Sequence, residues 1–153
     1  MSEMMRGPRM AFPSLTSGVK ALLLINVAVF LANAILGGEL NDWFAVSVNG
    51  LADGYGLGVF RLLTSQFSHS YTDIGHILGN MLVLYFFGTM VESEVGRRGI
   101  VKLYLASGFT GNFVQLPFMA AMGSADVQCL GASGACFGIM VYAAVMAPSA
   151  RVW

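Results

Sequence analysis

Charged residues are unevenly spaced along the chain, and the gaps between them are its clearest pattern. No Asp, Glu, Lys or Arg falls between Lys20 and Glu39, Asp73 and Glu92, Lys102 and Asp126, or Asp126 and Arg151; these gaps hold 18, 18, 23 and 24 residues. A helix crossing a hydrocarbon core needs roughly 20 residues, with a range of about 17–25. Each gap therefore predicts one crossing, at about 19–37, 74–91, 103–125 and 130–148. Leu22-Leu23-Leu24-Ile25 and the run from Met81 to Phe87 are apolar on every side. Barrel strands would instead alternate over about 10 residues. Pro117 is expected to kink the third span near Leu116, and Pro148 to end the fourth. A competing reading takes residues 1–34 as a signal peptide, because Ala32-Asn33-Ala34 fits a small-x-small cleavage site. The long leader, and an apolar run that continues through Ile35 and Leu36, favour a retained span.

Composition narrows the class. Charged residues make up 10% of the 153 and hydrophobic residues 56%, whereas soluble domains carry about 25% charged residues. Disordered chains are polar and charge-rich, and two cysteines exclude a disulfide framework. The zero net charge argues against a nucleic-acid partner, since phosphate binding needs a basic excess. The fold class is therefore all-α, a polytopic membrane helix bundle. It consists of a tail, 1–18, and a membrane domain, 19–150. Bases alternate in excess: Arg6, Arg9 and Lys20 precede the first span, Arg61 alone faces Glu39, Asp42, Asp53 and Asp73 in the next loop, and Arg97, Arg98 and Lys102 follow the second span. This places the N-terminus in the cytoplasm, with a bacterial plasma membrane as the expected location. The loop over 37–73 is long enough to expect a function. It is expected to hold short interfacial helices anchored by Trp43, Phe44, Phe60 and Phe67.

Two spans carry polar groups that a plain anchor would avoid. His76 and Asn80 lie one turn apart on one helical face. The fourth span contains Gly131-Ala132-Ser133-Gly134. Both spans enter from the outer side. His76 is three residues past Asp73, and Ser133 seven past Asp126, so they should sit at similar depth, with Asn80 roughly 6 Å deeper. Gly75 with Gly79, and Gly134 with Gly138, are small-xxx-small pairs that let backbones approach. A hydroxyl at a helix N-terminus, with Ser133 N–H, His76 and Asn80 as donors, would form a nucleophile and an oxyanion site. Taken singly, each has a plainer reading: packing for Ser133 and the glycines, a satisfied interior group for His76, and an interhelical hydrogen bond for Asn80.

Together these residues resemble the two signature motifs of the rhomboid intramembrane serine proteases, carried by His76-Ile77-Leu78-Gly79-Asn80 and Gly131-Ala132-Ser133-Gly134-Ala135. Phe60-Arg61 with Phe67-Ser68-His69 resembles the family's outer-loop segment, Gly88-Thr89-Met90-Val91-Glu92 its exit from the second span, and Gln115 a common glutamine of the third. The resemblance runs from about Val59 to Ala147 and implies four spans of a six-span core. It implies Ser133 as nucleophile and His76 and Asn80 as oxyanion donors. Arg61 and Glu92 would hold the outer loop and second helix, and His69 would be structural. It further implies transmembrane protein substrates within the lipid bilayer, and no metal or organic cofactor. Cys129 and Cys136 are read as packing residues. Phe137 stands where the family often has Tyr, and Phe60 where Trp is common.

The family's general base is a histidine on the sixth span. This chain has two histidines, His69 and His76, both already placed, so the 153 residues alone are expected to be inactive. Three explanations compete: a fragment of a longer gene, a truncated relative that binds clients without cutting, and a divergent protease using His69 or His76 as base. From other classes, a small transporter or channel subunit, with His76 and Asn80 lining a polar path, is the alternative; a purely structural membrane partner is the third.

Overall fold

The structure is a computed structural model that describes residues 13–52 and 57–146. Pro148 and most of the expected N-terminal tail lie outside these residues. Five α-helices are described: α1 (Ser17–Ile35), α2 (Glu39–Phe44), α3 (Arg61–Thr64), α4 (Ile74–Ala121) and α5 (Ser133–Met146). Short 3₁₀ turns cover Asn49–Ala52, Leu57–Phe60 and Ser65–Phe67. Among the described residues the only extended pairing is an isolated antiparallel bridge, Val46 with Cys129. The fold is an all-α membrane helix bundle, as the charge gaps predicted.

α1 stops where its glycines begin. Gly37 and Gly38 take positive φ, 63° and 100°, and Gly38 N–H and Gly37 N–H bond back to the carbonyls of Asn33 (2.9 Å) and Ala34 (3.3 Å). This crossed pair is a Schellman closure, which needs a left-handed residue just past the helix.

α4 runs for 48 residues but is broken once, at Gly96 (φ 72°, ψ 172°). Only glycine adopts such a conformation without strain. The break yields two limbs, 74–95 and 97–121, where the sequence predicts two spans. The limbs fold back on each other. His76 and Gln115 line one cavity, whereas an unbroken helix would hold residues 39 apart about 58 Å from each other. Pro117 does not end the second limb, which stays helical to Ala121. The proline removes one N–H, and the neighbouring turns carry the helix past it. Residues 122–125, which the charge gap includes in the third expected span, follow the helical end of the second limb at Ala121.

α1, both limbs and α5 share a core built around Val19, Leu22, Leu84, Ile100, Tyr104 and Ile139, all 3% exposed or less. One glycine pair draws α5 onto the second limb. A Cβ on Gly134 would lie 3.7 Å from the Cα atoms of Gly108 and Gly111, and one on Gly138 would lie 2.1 Å from Ser107 Oγ. The other expected pair does not pack. Nothing lies within 4 Å of a Cβ on Gly79, and Gly75 would meet only the Asp73 side chain. The small residues that do meet the fourth-span pair are Ser107, Gly108 and Gly111.

Polar groups stitch the bundle. Tyr104 Oη donates to the Gln66 carbonyl (3.0 Å) and accepts from Asn26 Nδ2 (3.0 Å). The start of α1 is capped from a distance. Glu92 accepts from the backbone N–H groups of Gly18 (2.8 Å) and Val19 (2.7 Å), and from the hydroxyls of Thr16 (2.5 Å) and Ser17 (3.4 Å). Its observed partners thus lie at the start of α1.

The first loop holds short helices, as expected. Trp43 and Phe60 are strongly exposed, which suits interfacial anchors. Phe67 is not one of them. It packs against the core cluster, its ring centroid 5.4 Å from that of Tyr104, and such aromatic pairs are worth about 0.5–1.5 kcal/mol beyond the area they bury.

Candidate active site

Two loops and three helical segments meet around Ser133. The first loop is bolted to the turn before α5. Val46 and Cys129 exchange backbone hydrogen bonds (3.0 and 2.7 Å), and Gly131 N–H donates to the Ser65 carbonyl (2.9 Å). Asn112 Nδ2, from the second limb, donates to the Leu62 carbonyl (2.9 Å) and Ser65 Oγ (2.8 Å). Gln128 Nε2 reaches Asp42 (3.1 Å), and Asn49 Nδ2 reaches Asp126 (2.5 Å).

Below this roof lies a cavity of about 390 Å³, lined by His76, Gly108, Gly111, Asn112, Gln115 and Ser133, among others. Ser133 is the first residue of α5 and is exposed. Its hydroxyl and its N–H make no hydrogen bond within the described residues. A first-turn N–H has no partner inside its own helix, so both groups are free to meet a ligand. His76 is half-buried on the opposite wall, at the start of α4, where Asp73 caps the helix by accepting from His76 N–H (3.2 Å).

Gly131 sets the spacing between these walls. Its φ is +116°, and a Cβ there would sit 2.6 Å from His76 Nε2 and 3.7 Å from Asn80 Nδ2. The absence of a side chain lets the turn before Ser133 close onto both donors. Asn80 itself is buried, and its Nδ2 is 3.1 Å from His69 Nε2. His69 is fully buried in the turn that precedes α4, its ring edge-on to that of His76 at 5.1 Å and 62°. Burial and then the nearby His76 charge push its pKa down to about 4, while the Phe67 backbone acts weakly the other way.

Of the three residues singled out in the sequence, Ser133 and His76 share the cavity, and Asn80 stands just behind Gly131. The small and polar walls at Gly108, Gly111, Asn112 and Gln128, and the Ser65 anchor, were not anticipated. Asn112 carried a signal, as a carboxamide inside an uncharged span. Phe137, one turn past Ser133, is exposed.

Comparison with known proteins bears on the family. A family model described as the Rhomboid domain matches residues 57–153. RHOMBOID-like protein 12, mitochondrial, of Arabidopsis thaliana is 32% identical over 149 residues, covering 88% of this chain and 43% of that protein. Rhomboid protein 1, mitochondrial, of Saccharomyces cerevisiae is 33% identical over 137 residues, covering 88% of this chain and 38% of that protein. RHOMBOID-like protein 1 of Arabidopsis thaliana is 40% identical over 82 residues, covering 54% of this chain and 19% of that protein. The chain thus spans less than half the length of these relatives. With the matched domain extending over the cavity, both limbs and the Ser133 turn, the chain belongs to the rhomboid family.

Proposed function

We propose that the protein is an intramembrane serine endopeptidase that cleaves transmembrane substrates near the outer membrane face. The observation that carries this reading is the unbonded Ser133 hydroxyl at a helix N-terminus, facing a cavity shared with His76. In the proposed reaction Ser133 Oγ gives its proton to a general base and attacks the scissile carbonyl. The carbonyl oxygen takes up the negative charge and is met by Ser133 N–H, His76 and Asn80. Collapse expels the amine, protonated by the same base, and water then releases the acyl group. Fixed donors aimed at a developing oxyanion are worth about 10²- to 10³-fold in rate apiece.

His69 is not proposed as the base, because its Nε2 already faces two donors, Asn80 Nδ2 and Ala132 N–H. The second reading is a rhomboid-like protein that binds membrane clients without cutting them. The proposal places the N-terminus on the base-rich, cytoplasmic side of a bacterial plasma membrane; the mitochondrial names of two relatives make an organellar membrane the alternative. Cleavage of a model transmembrane substrate by the full-length protein tests the reading. Ser133→Ala should abolish it, and Asn80→Ala should lower turnover while the protein stays folded. Cleavage that survives Ser133→Ala rejects the nucleophile, and binding without cleavage by the wild type selects the second reading.

A further inference from the structure

His69 belongs to no helix, yet its side chain touches both parts of the site. Its Nε2 lies 3.1 Å from Asn80 Nδ2, on the first limb, and 3.4 Å from the backbone nitrogen of Ala132, the residue before Ser133. Both partners are N–H donors. A ring nitrogen accepts only when it carries no proton, so Nε2 holds the lone pair and Nδ1 holds the hydrogen.

The loop also has anchors that do not involve the imidazole, since Asn33 Nδ2 donates to the His69 carbonyl (3.4 Å) and Ser68 N–H to the Ser65 carbonyl (3.1 Å). What the imidazole adds is a shared acceptor between the carboxamide of Asn80 and the Gly131–Ala132 peptide, one residue ahead of Ser133. An Asn amide has two hydrogens. Engaging one at His69 fixes the plane of the group and leaves the other for a ligand.

We propose that His69 is a positioning residue: its Nε2 lone pair orients the Asn80 carboxamide and the Gly131–Ala132 peptide, and so fixes the turn that carries Ser133 relative to that donor. This rests on the protease reading and deepens it. Burial holds the ring neutral, as the role requires, with its pKa near 4.

The test uses full-length protein in detergent, with His69→Ala and His69→Gln. Gln brings a carbonyl oxygen near the Nε2 position. Turnover of a transmembrane substrate and the rate of Ser133 labelling by a fluorophosphonate are read alongside thermal unfolding. The Ala variant should lose about 10- to 100-fold in kcat and in labelling rate, with KM within about twofold, and Gln should recover most of the loss. A purely structural residue would lower the melting temperature and leave turnover per folded molecule unchanged, which overturns the proposal. Nitrogen NMR of the His69 ring gives a readout independent of activity. The Nδ1-protonated tautomer is expected, with an Nε2 resonance that moves on Asn80→Ala. An Nε2-protonated ring overturns the proposal even if the enzyme cuts, whereas a wild-type protein that neither cuts nor labels overturns the protease reading and the positioning role built on it.

Discussion

Glu92→Gln isolates the long-range cap on α1. The carboxylate presents two oxygens to two backbone donors, Gly18 N–H at 2.8 Å and Val19 N–H at 2.7 Å, and to the hydroxyls of Thr16 and Ser17. Gln keeps the shape and one acceptor, so one of the two N–H groups must face an NH₂. Gly18 and Val19 are buried, and Thr16 offers no side-chain cap of its own, so the orphaned donor finds no substitute. A buried unsatisfied donor costs about 1–3 kcal/mol. Losing the negative charge at a helix N-terminus adds about 0.3–1 kcal/mol. The expected destabilisation is therefore roughly 1.3–4 kcal/mol. Equilibrium unfolding in mixed micelles of mild detergent and SDS measures it. Hydrogen exchange at Gly18 and Val19 locates it, since these amides should exchange faster while those in mid-α1 change less. A loss below about 1 kcal/mol, or unchanged exchange at both amides, would refute the cap.

Three further outcomes follow from the packing. Gly138→Ala places a methyl against Ser107 Oγ and should destabilise by about 1–3 kcal/mol; Ser107→Gly should recover much of this in a double-mutant cycle, and additive losses would show that the two sites do not touch. Tyr104→Phe removes the hydroxyl that joins Asn26 to the Gln66 carbonyl and should cost about 1–2 kcal/mol in the same unfolding assay; no change would mean the bridge contributes nothing net. His69 has a folded pKa near 4 against about 6.5 unfolded. Between these values the unfolded chain holds the extra proton, so stability should fall as pH drops from 6.5 to 4 and recover on raising it. In His69→Gln this part of the slope should vanish, and a slope that persists unchanged assigns it to other groups.

The helices were legible because a bilayer imposes one demand on every spanning segment, and Lys20, Glu39, Asp73, Glu92, Lys102 and Asp126 mark where that demand is lifted. The hinge region was legible for the same reason, since Glu92, Glu94, Arg97, Arg98 and Lys102 interrupt the apolar run. What it did not reveal is that Gly96 alone makes the turn. Which glycines pack was only half legible. Small-xxx-small spacing marks a face that can be approached, and the approaching partner decides whether it is. Gly134 and Gly138 meet Ser107, Gly108 and Gly111, while Gly79 meets no other residue among those described. The Ser133, His76 and Asn80 grouping was visible from spacing and depth. The Gly131 conformation that lets them approach, and the His69 acceptor behind Asn80, arise from contacts 11 to 63 residues apart in the chain, which local pattern does not encode.

The single-residue turn at Gly96 also bears on the order in which the molecule assembles. Closing a chain segment becomes easier as the segment shortens, and no connector is shorter than this one. The two limbs of α4 are thus expected to form their hairpin as soon as both have been synthesised, setting out the His76, Gly108 and Asn112 lining of the cavity before residue 133 has entered the bilayer. The receiving wall is built first and the serine docks into it last. Disulfide trapping of cysteine pairs across the limbs in nascent chains of increasing length would register that sequence of events, and pairing that waits for α5 would reverse it.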